Sequence, residues 1–68
     1  MTLRITNLPA NVTDVEVRAL CEQFGEIQQI SVKNGKTTVR FVSAATAARA
    51  LTLLEGTIQF GQRITIEV

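Results

Sequence analysis

The hydrophobic period of this chain switches between two and 3.6 in a fixed order, and that order limits the folds open to it. Leu3 and Ile5, with Arg4 and Thr6 between them, alternate as a strand that runs on to Leu8-Pro9, where proline's missing donor ends it. Thr13 and Glu16 then fit the T-x-x-E capping box, with Val12 and Val17 spaced as a hydrophobic staple. Val17, Leu20, Cys21 and Phe24 recur at helical spacing, and Gly25 stands where a left-handed residue closes a helix. A second strand follows, with Ile27, Ile30 and Val32 apolar and Gln29, Ser31 and Lys33 polar. Asn34-Gly35 marks a two-residue type I′ hairpin, beyond which Thr37, Val39 and Phe41 face one way and Lys36, Thr38 and Arg40 the other. A loop of that length pairs Lys33 directly with Lys36 on one face. Ser43 caps a second helix whose stripe is Ala47, Ala50, Leu51 and Leu54, small enough at its start to lie close to a sheet. Gly56 stops it. A short turn through Phe60-Gly61 leads to a last strand, with Ile64 and Ile66 inward and Arg63, Thr65 and Glu67 outward.

The order β-α-β-β-α-β predicts an α+β, ferredoxin-like sandwich: a four-stranded antiparallel sheet with two helices on one face and the other face open. Sixty-eight residues leave room for one core only, so residues 1–68 read as one domain. With 46% hydrophobic and 19% charged residues, the chain is expected to be globular. One cysteine and no histidine rule out a disulfide framework, a zinc cluster and any Ser/His or Cys/His nucleophile pair within these residues. Composition therefore points to a binding module and away from an enzyme, with no metal or other cofactor. No apolar run reaches the length of a membrane span and the first residues lack a signal-peptide layout, so an intracellular location, nucleus or cytoplasm, is expected.

The net charge of +1 predicts little, but its distribution predicts more. Arg4, Lys33, Lys36, Arg40 and Arg63 take outward strand positions beside one acid, Glu67. Five cations against one carboxylate leave +4 on that face. Arg18 and Arg49 against Asp14, Glu16, Glu22, Glu26 and Glu55 leave −3 on the helical side. A positive sheet surface attracts phosphates, and salt weakens the attraction. Exposed strands also carry Lys and Arg to cover apolar neighbours and discourage edge pairing, a purely structural use of the same residues.

Leu3-Arg4-Ile5-Thr6-Asn7-Leu8, Phe24-Gly25-Glu26-Ile27, Val39-Arg40-Phe41 and Gly61-Gln62-Arg63-Ile64 together resemble, in order and spacing, the RNA recognition motif, across nearly the whole chain. The resemblance implies binding of single-stranded RNA on the open sheet. In that family bases stack on aromatic rings, one in the first strand and two in the third. The matching residues here are Arg4, Lys36 and Thr38, none aromatic. Stacking contributes roughly 1–3 kcal/mol per base, so binding here would rest on charge and hydrogen bonds instead. The expected contacts are Arg4, Lys33, Lys36, Arg40 and Arg63, with Thr6, Asn7 and Thr38 secondary. The alternative is an atypical relative that binds a protein or another part of its own chain, with the acidic helical side available to a basic partner.

Other uses of the topology fit poorly. A metal carrier needs paired cysteines after the first strand, where this chain has Pro9-Ala10-Asn11-Val12, and acylphosphatase-like chemistry needs a phosphate-holding arginine in such a loop. Cys21 lies on the apolar stripe as a core residue. Asn11-Val12-Thr13 spells a glycosylation sequon but reads as the approach to a helix.

Overall fold

The computed structural model describes residues 1–68. Its elements are β1 (Thr2–Thr6), α1 (Asp14–Cys21) with a 3-10 turn at Glu22–Phe24, β2 (Ile27–Lys33), β3 (Lys36–Phe41), α2 (Ala44–Leu54), β4 (Ile58–Gln59), β5 (Gln62–Arg63) and β6 (Thr65–Glu67). The main sheet has the order β2-β3-β1-β6, antiparallel throughout, and β4 with β5 forms a separate ribbon. Leu3, Ile5, Val39, Phe41 and Ile66 from one face of the sheet join Val17, Cys21, Ala47, Ala50 and Leu54 from the helices in one buried cluster. Both helices therefore cover the same face, as the alternating periods predict.

Local signals explain the helix starts. Thr13 Oγ1 accepts from the Glu16 amide at 3.2 Å, and the Thr13 amide donates back to Glu16 Oε1 at 3.0 Å, closing the capping box. Val12 and Val17 are both buried, which seats the staple. Ser43 Oγ accepts from the Thr46 amide at 3.4 Å. Asn34 and Gly35 have φ of 50° and 78°, and Lys33 pairs with Lys36, so the type I′ hairpin and its register are as expected.

Four local features differ from the sequence expectation. β1 ends at Thr6, before Pro9, because Asn7 turns into the left-handed region at φ 67°. Gly25 is required for a different reason than helix closure by a left-handed residue: at φ 157° and ψ −175°, a Cβ there would lie 2.6 Å from Thr46 Cγ2 of α2. The register of β2 against β3 shifts between Ile27 and Gln29, a bulge that lets Ile27 and Ile30 both turn toward the core although three residues separate them. The fourth concerns the last strand. Arg63 belongs to the ribbon, opposite Ile58, and only Thr65–Glu67 pair with β1. Gly56 N donates to Ile64 O and Ile64 N donates to Thr57 O, so two residues oppose one, with Gly56 at φ 75°. This is a G1-type bulge that separates the ribbon from β6. Parity carried back from Ile66 through Ile64 therefore misplaces Arg63.

Candidate nucleic-acid interface

The register sets the outward residues of the main sheet in rows. Ser31 lies opposite Thr38, Thr38 opposite Arg4, and Arg4 opposite Glu67, a row that crosses all four strands. On one side of it Gln29, Arg40 and Thr2 form a second row; on the other, Lys33 faces Lys36 and Thr6 faces Thr65. Pairing of β1 with β3 runs from Thr2 and Arg40 to Ile5 and Thr37, one residue short of the ends of both strands, Thr6 and Lys36. A concavity of about 420 Å³ lies toward this end of the face, lined by Arg4, Thr6 and Glu67 from β1 and β6 and by Ser31, Lys33, Lys36 and Thr38 from β2 and β3.

Four of the five expected cations share this face: Arg4, Lys33, Lys36 and Arg40, all exposed. Four cations against Glu67 leave +3, one less than the sequence count, because Arg63 is absent from the sheet. The chain's single salt bridge joins Arg4 Nη2 to Glu67 Oε2 at 3.7 Å, with both side chains more than half exposed. Such a pair contributes about 0–1 kcal/mol. Lys33 and Lys36 are more telling. Like charges directly across a strand pair are destabilising, and these two flank the concavity. An anion bound between them would remove the repulsion.

Of the remaining expected residues, Thr38 stands in the outward row and lines the concavity, while Thr6, Asn7 and Arg63 make hydrogen bonds within the fold. Thr6 Oγ1 donates to Thr65 O at 3.2 Å and lines the concavity. Asn7 lies past the end of the sheet, where its Nδ2 donates to Arg63 O at 2.7 Å while Gln62 Nε2 donates to Asn7 O at 2.6 Å. This reciprocal clamp fastens the ribbon to β1. The Arg63 guanidinium donates to Gly56 O, within the same ribbon. Neither Asn7 nor Arg63 stands among the outward rows. Sequence reasoning missed the Arg4–Glu67 pairing, since parity gives a residue's face but not its cross-strand neighbour across a long separation. A left-handed Asn7 had a signal: asparagine is enriched at positive φ.

No aromatic ring stands on the open face. Phe41 is buried, Phe24 packs against the core, and Phe60 is 41% exposed at the ribbon tip. Burial pushes the Cys21 thiol up to about 11, so it holds its proton at neutral pH and packs as an apolar group. No helix is long and apolar enough to cross a membrane.

A β-α-β-β-α-β sandwich with both helices behind the sheet and a polar, cationic front defines a split-βαβ module with one exposed sheet face. The family model described as the RNA recognition motif matches residues 3–65, and the chain belongs to that family. The polyadenylate-binding protein RBP45A of Arabidopsis thaliana is 37% identical over 67 residues, a match that covers 96% of this chain but 17% of that protein. The RRM domain of S. pombe Puf1 superposes with a TM-score of 0.93 at 20% identity, covering all of this chain and 95% of that one, a likeness of fold alone. The RRM of Nab3, in a structure addressing cis-element recognition of non-polyadenylated RNAs, has a TM-score of 0.88 at 28% identity, over 98% of this chain and 91% of that one. A chain in an Sxl-lethal protein–RNA complex has a TM-score of 0.90 at 26% identity, over 97% of this chain and 44% of that one.

Proposed function

We propose that residues 1–68 form one module that binds single-stranded RNA on the open sheet, through charge and hydrogen bonds in place of aromatic stacking. The observation that carries this reading is the directly opposed pair Lys33 and Lys36 beside a concavity that Arg4 and four hydroxyl-bearing residues, Thr6, Ser31, Thr37 and Thr38, also line. Repulsion between the lysines opposes the fold, and a phosphate relieves it. Membership of the RNA recognition motif family, and relatives named for polyadenylate binding and for complexes with RNA, support the same reading. Arg4, Lys33, Lys36 and Arg40 are the charged contacts, and Thr6, Thr38 and Ser31 supply hydroxyls. Asn7 and Arg63 are left out of the set, because Asn7 lies past the end of β1 and Arg63 belongs to the ribbon, so neither stands in the outward rows of the main sheet. Phosphate contacts position a strand without identifying its bases, so affinity varies little with most of the sequence.

The test is an NMR titration with short mixed-sequence RNA, repeated over a range of salt. Shifts are expected at the amides of Arg4, Thr6, Lys36, Thr38 and Arg40. The logarithm of affinity should fall against the logarithm of salt with a slope of up to about −2.8 for four contacts. A second reading, a protein-binding module, draws on Val15, which is 71% exposed on α1 between the exposed acids Asp14 and Glu16. No shift at millimolar RNA, or shifts confined to the helices, would favour it over RNA binding.

A further inference from the structure

Glu67 is the residue that phosphate binding does not explain. It is the one acid among the outward side chains of the main sheet, it lines the concavity, and it repels any phosphate that the four cations attract. Stability does not explain it either. Its contact with Arg4 is long, at 3.7 Å, and both partners are more than half exposed, so the pair contributes little and opens easily. What Glu67 does supply is a pair of acceptor oxygens, held by its register opposite Arg4 on the face itself.

We propose that Glu67, with Arg4 beside it, reads one base of the bound RNA and selects guanine. The inference rests on the RNA-binding reading above and names the base that one part of the site prefers. The Watson–Crick edge of guanine offers two adjacent donors, N1–H and the N2 amine, next to an acceptor, O6. A carboxylate takes both donors in a bidentate, charge-assisted pair, and an adjacent guanidinium donates to O6. Adenine and cytosine each present one amine beside a ring acceptor, which leaves a carboxylate oxygen without a partner. Uracil presents one N–H flanked by two carbonyl oxygens, and both repel the carboxylate. The order of fit is therefore guanine first and uracil last. Ser31 and Thr38 continue the same row of the sheet from Arg4, so a neighbouring nucleotide has hydroxyl partners along it.

The experiment uses short oligouridines that carry guanosine, inosine, adenosine or uridine at one central position, titrated by fluorescence anisotropy into the chain and into Glu67→Gln. An amide spectrum of the variant checks that it is folded. The guanosine oligomer should bind about tenfold more tightly than oligouridine, the scale of one bidentate base contact. Inosine, which lacks the N2 amine, should lose most of that gain. Glu67→Gln, left with a single acceptor oxygen, should bring guanosine and uridine oligomers to near equality. Equal binding of all four oligomers by the unaltered chain overturns the proposal and leaves RNA binding intact. A uniform gain in affinity for every oligomer in Glu67→Gln, with the guanosine preference unchanged, makes Glu67 a repulsive bystander and also overturns it. No binding of any oligomer overturns both this inference and the RNA reading.

Discussion

Thr37 Oγ1 is a buried side-chain oxygen without a hydrogen-bond partner, on a residue only 2% exposed, between Ile5 and Val32 of the neighbouring strands. A buried hydroxyl that has lost water and gained no partner costs roughly 1–3 kcal/mol. Valine has nearly the same shape and no hydroxyl. Thr37→Val should therefore stabilise the fold by about 1 kcal/mol, seen as a rise in Tm of roughly 4–8 °C for a domain of this size. A fall in Tm would mean that the hydroxyl is engaged after all. Two glycines of similar φ separate conformation from crowding. Gly35, at φ 78°, would place a Cβ 2.5 Å from the Leu8 carbonyl oxygen, whereas Gly61, at φ 82°, has open space around it. Gly61→Ala should cost about 1 kcal/mol from backbone conformation alone. Gly35→Ala should cost more, about 3 kcal/mol, because the turn must also move off the Leu8–Pro9 backbone; urea denaturation of the two variants gives the comparison. Cys21 adds a pH dependence. Burial raises its folded pKa from 9.0 to about 11, so unfolding releases the proton more readily than the native state does. That contribution is fully present below pH 9 and is lost as pH rises toward 11, by roughly 2–3 kcal/mol. In Cys21→Ala the fall in urea midpoint over this window should flatten.

At the level of elements, what could be read from the sequence was whatever short-range chemistry decides. The capping box at Thr13 and Glu16, the Asn34-Gly35 turn and both apolar helix stripes depend on neighbours within a few residues, and all formed as their patterns imply. The misses arose where tertiary pairing overrode alternation. Nothing local distinguishes an Arg63 that continues β6 from an Arg63 that pairs with Ile58, because both put Ile64 inward. The same holds for the β2 bulge, whose extra residue shows only in register. For the candidate site, parity alone identified four of the cations, while the Arg4–Glu67 contact and the Asn7 clamp depend on residues more than fifty positions apart in the chain. The ribbon turn offers a test at this scale. Phe60 and Gly61 have φ of 52° and 82°, the type I′ pattern, yet Phe60 is a residue that pays for a left-handed conformation. Phe60→Asn places a turn-favouring residue there and should stabilise the ribbon by about 1 kcal/mol if the exposed ring contributes little packing. Slower amide exchange at Gln59 and Gln62, the pair that closes the turn, would report it locally.

Across the whole molecule, charge is sorted by face. The sheet front carries +3, and the other three cations against five carboxylates leave −2 for the remainder, so a nearly neutral chain presents a strong local field. Stability and binding make opposite demands on that field. A residue kept for the fold weakens it when removed; a residue kept for a ligand weakens binding and can leave the fold better off. Lys33 and Lys36 separate these cases, because they face each other across the hairpin with the same charge. Lys33→Gln with Lys36→Gln removes the repulsion and keeps most of each side chain's length. The double variant should gain about 0.5 kcal/mol in urea denaturation at low salt, a gain that shrinks as salt screens the parent's repulsion. Its affinity for single-stranded RNA should fall, with the salt slope shallower by about 1.4 for two lost phosphate contacts. Because a phosphate contact is indifferent to base identity, the loss should be the same for guanosine and uridine oligomers, unlike the selective loss expected of Glu67→Gln. A double variant that is less stable and binds unchanged would reverse both signs. It would mean that the lysines serve the hairpin through their aliphatic stems and that the positive front has no part in holding RNA.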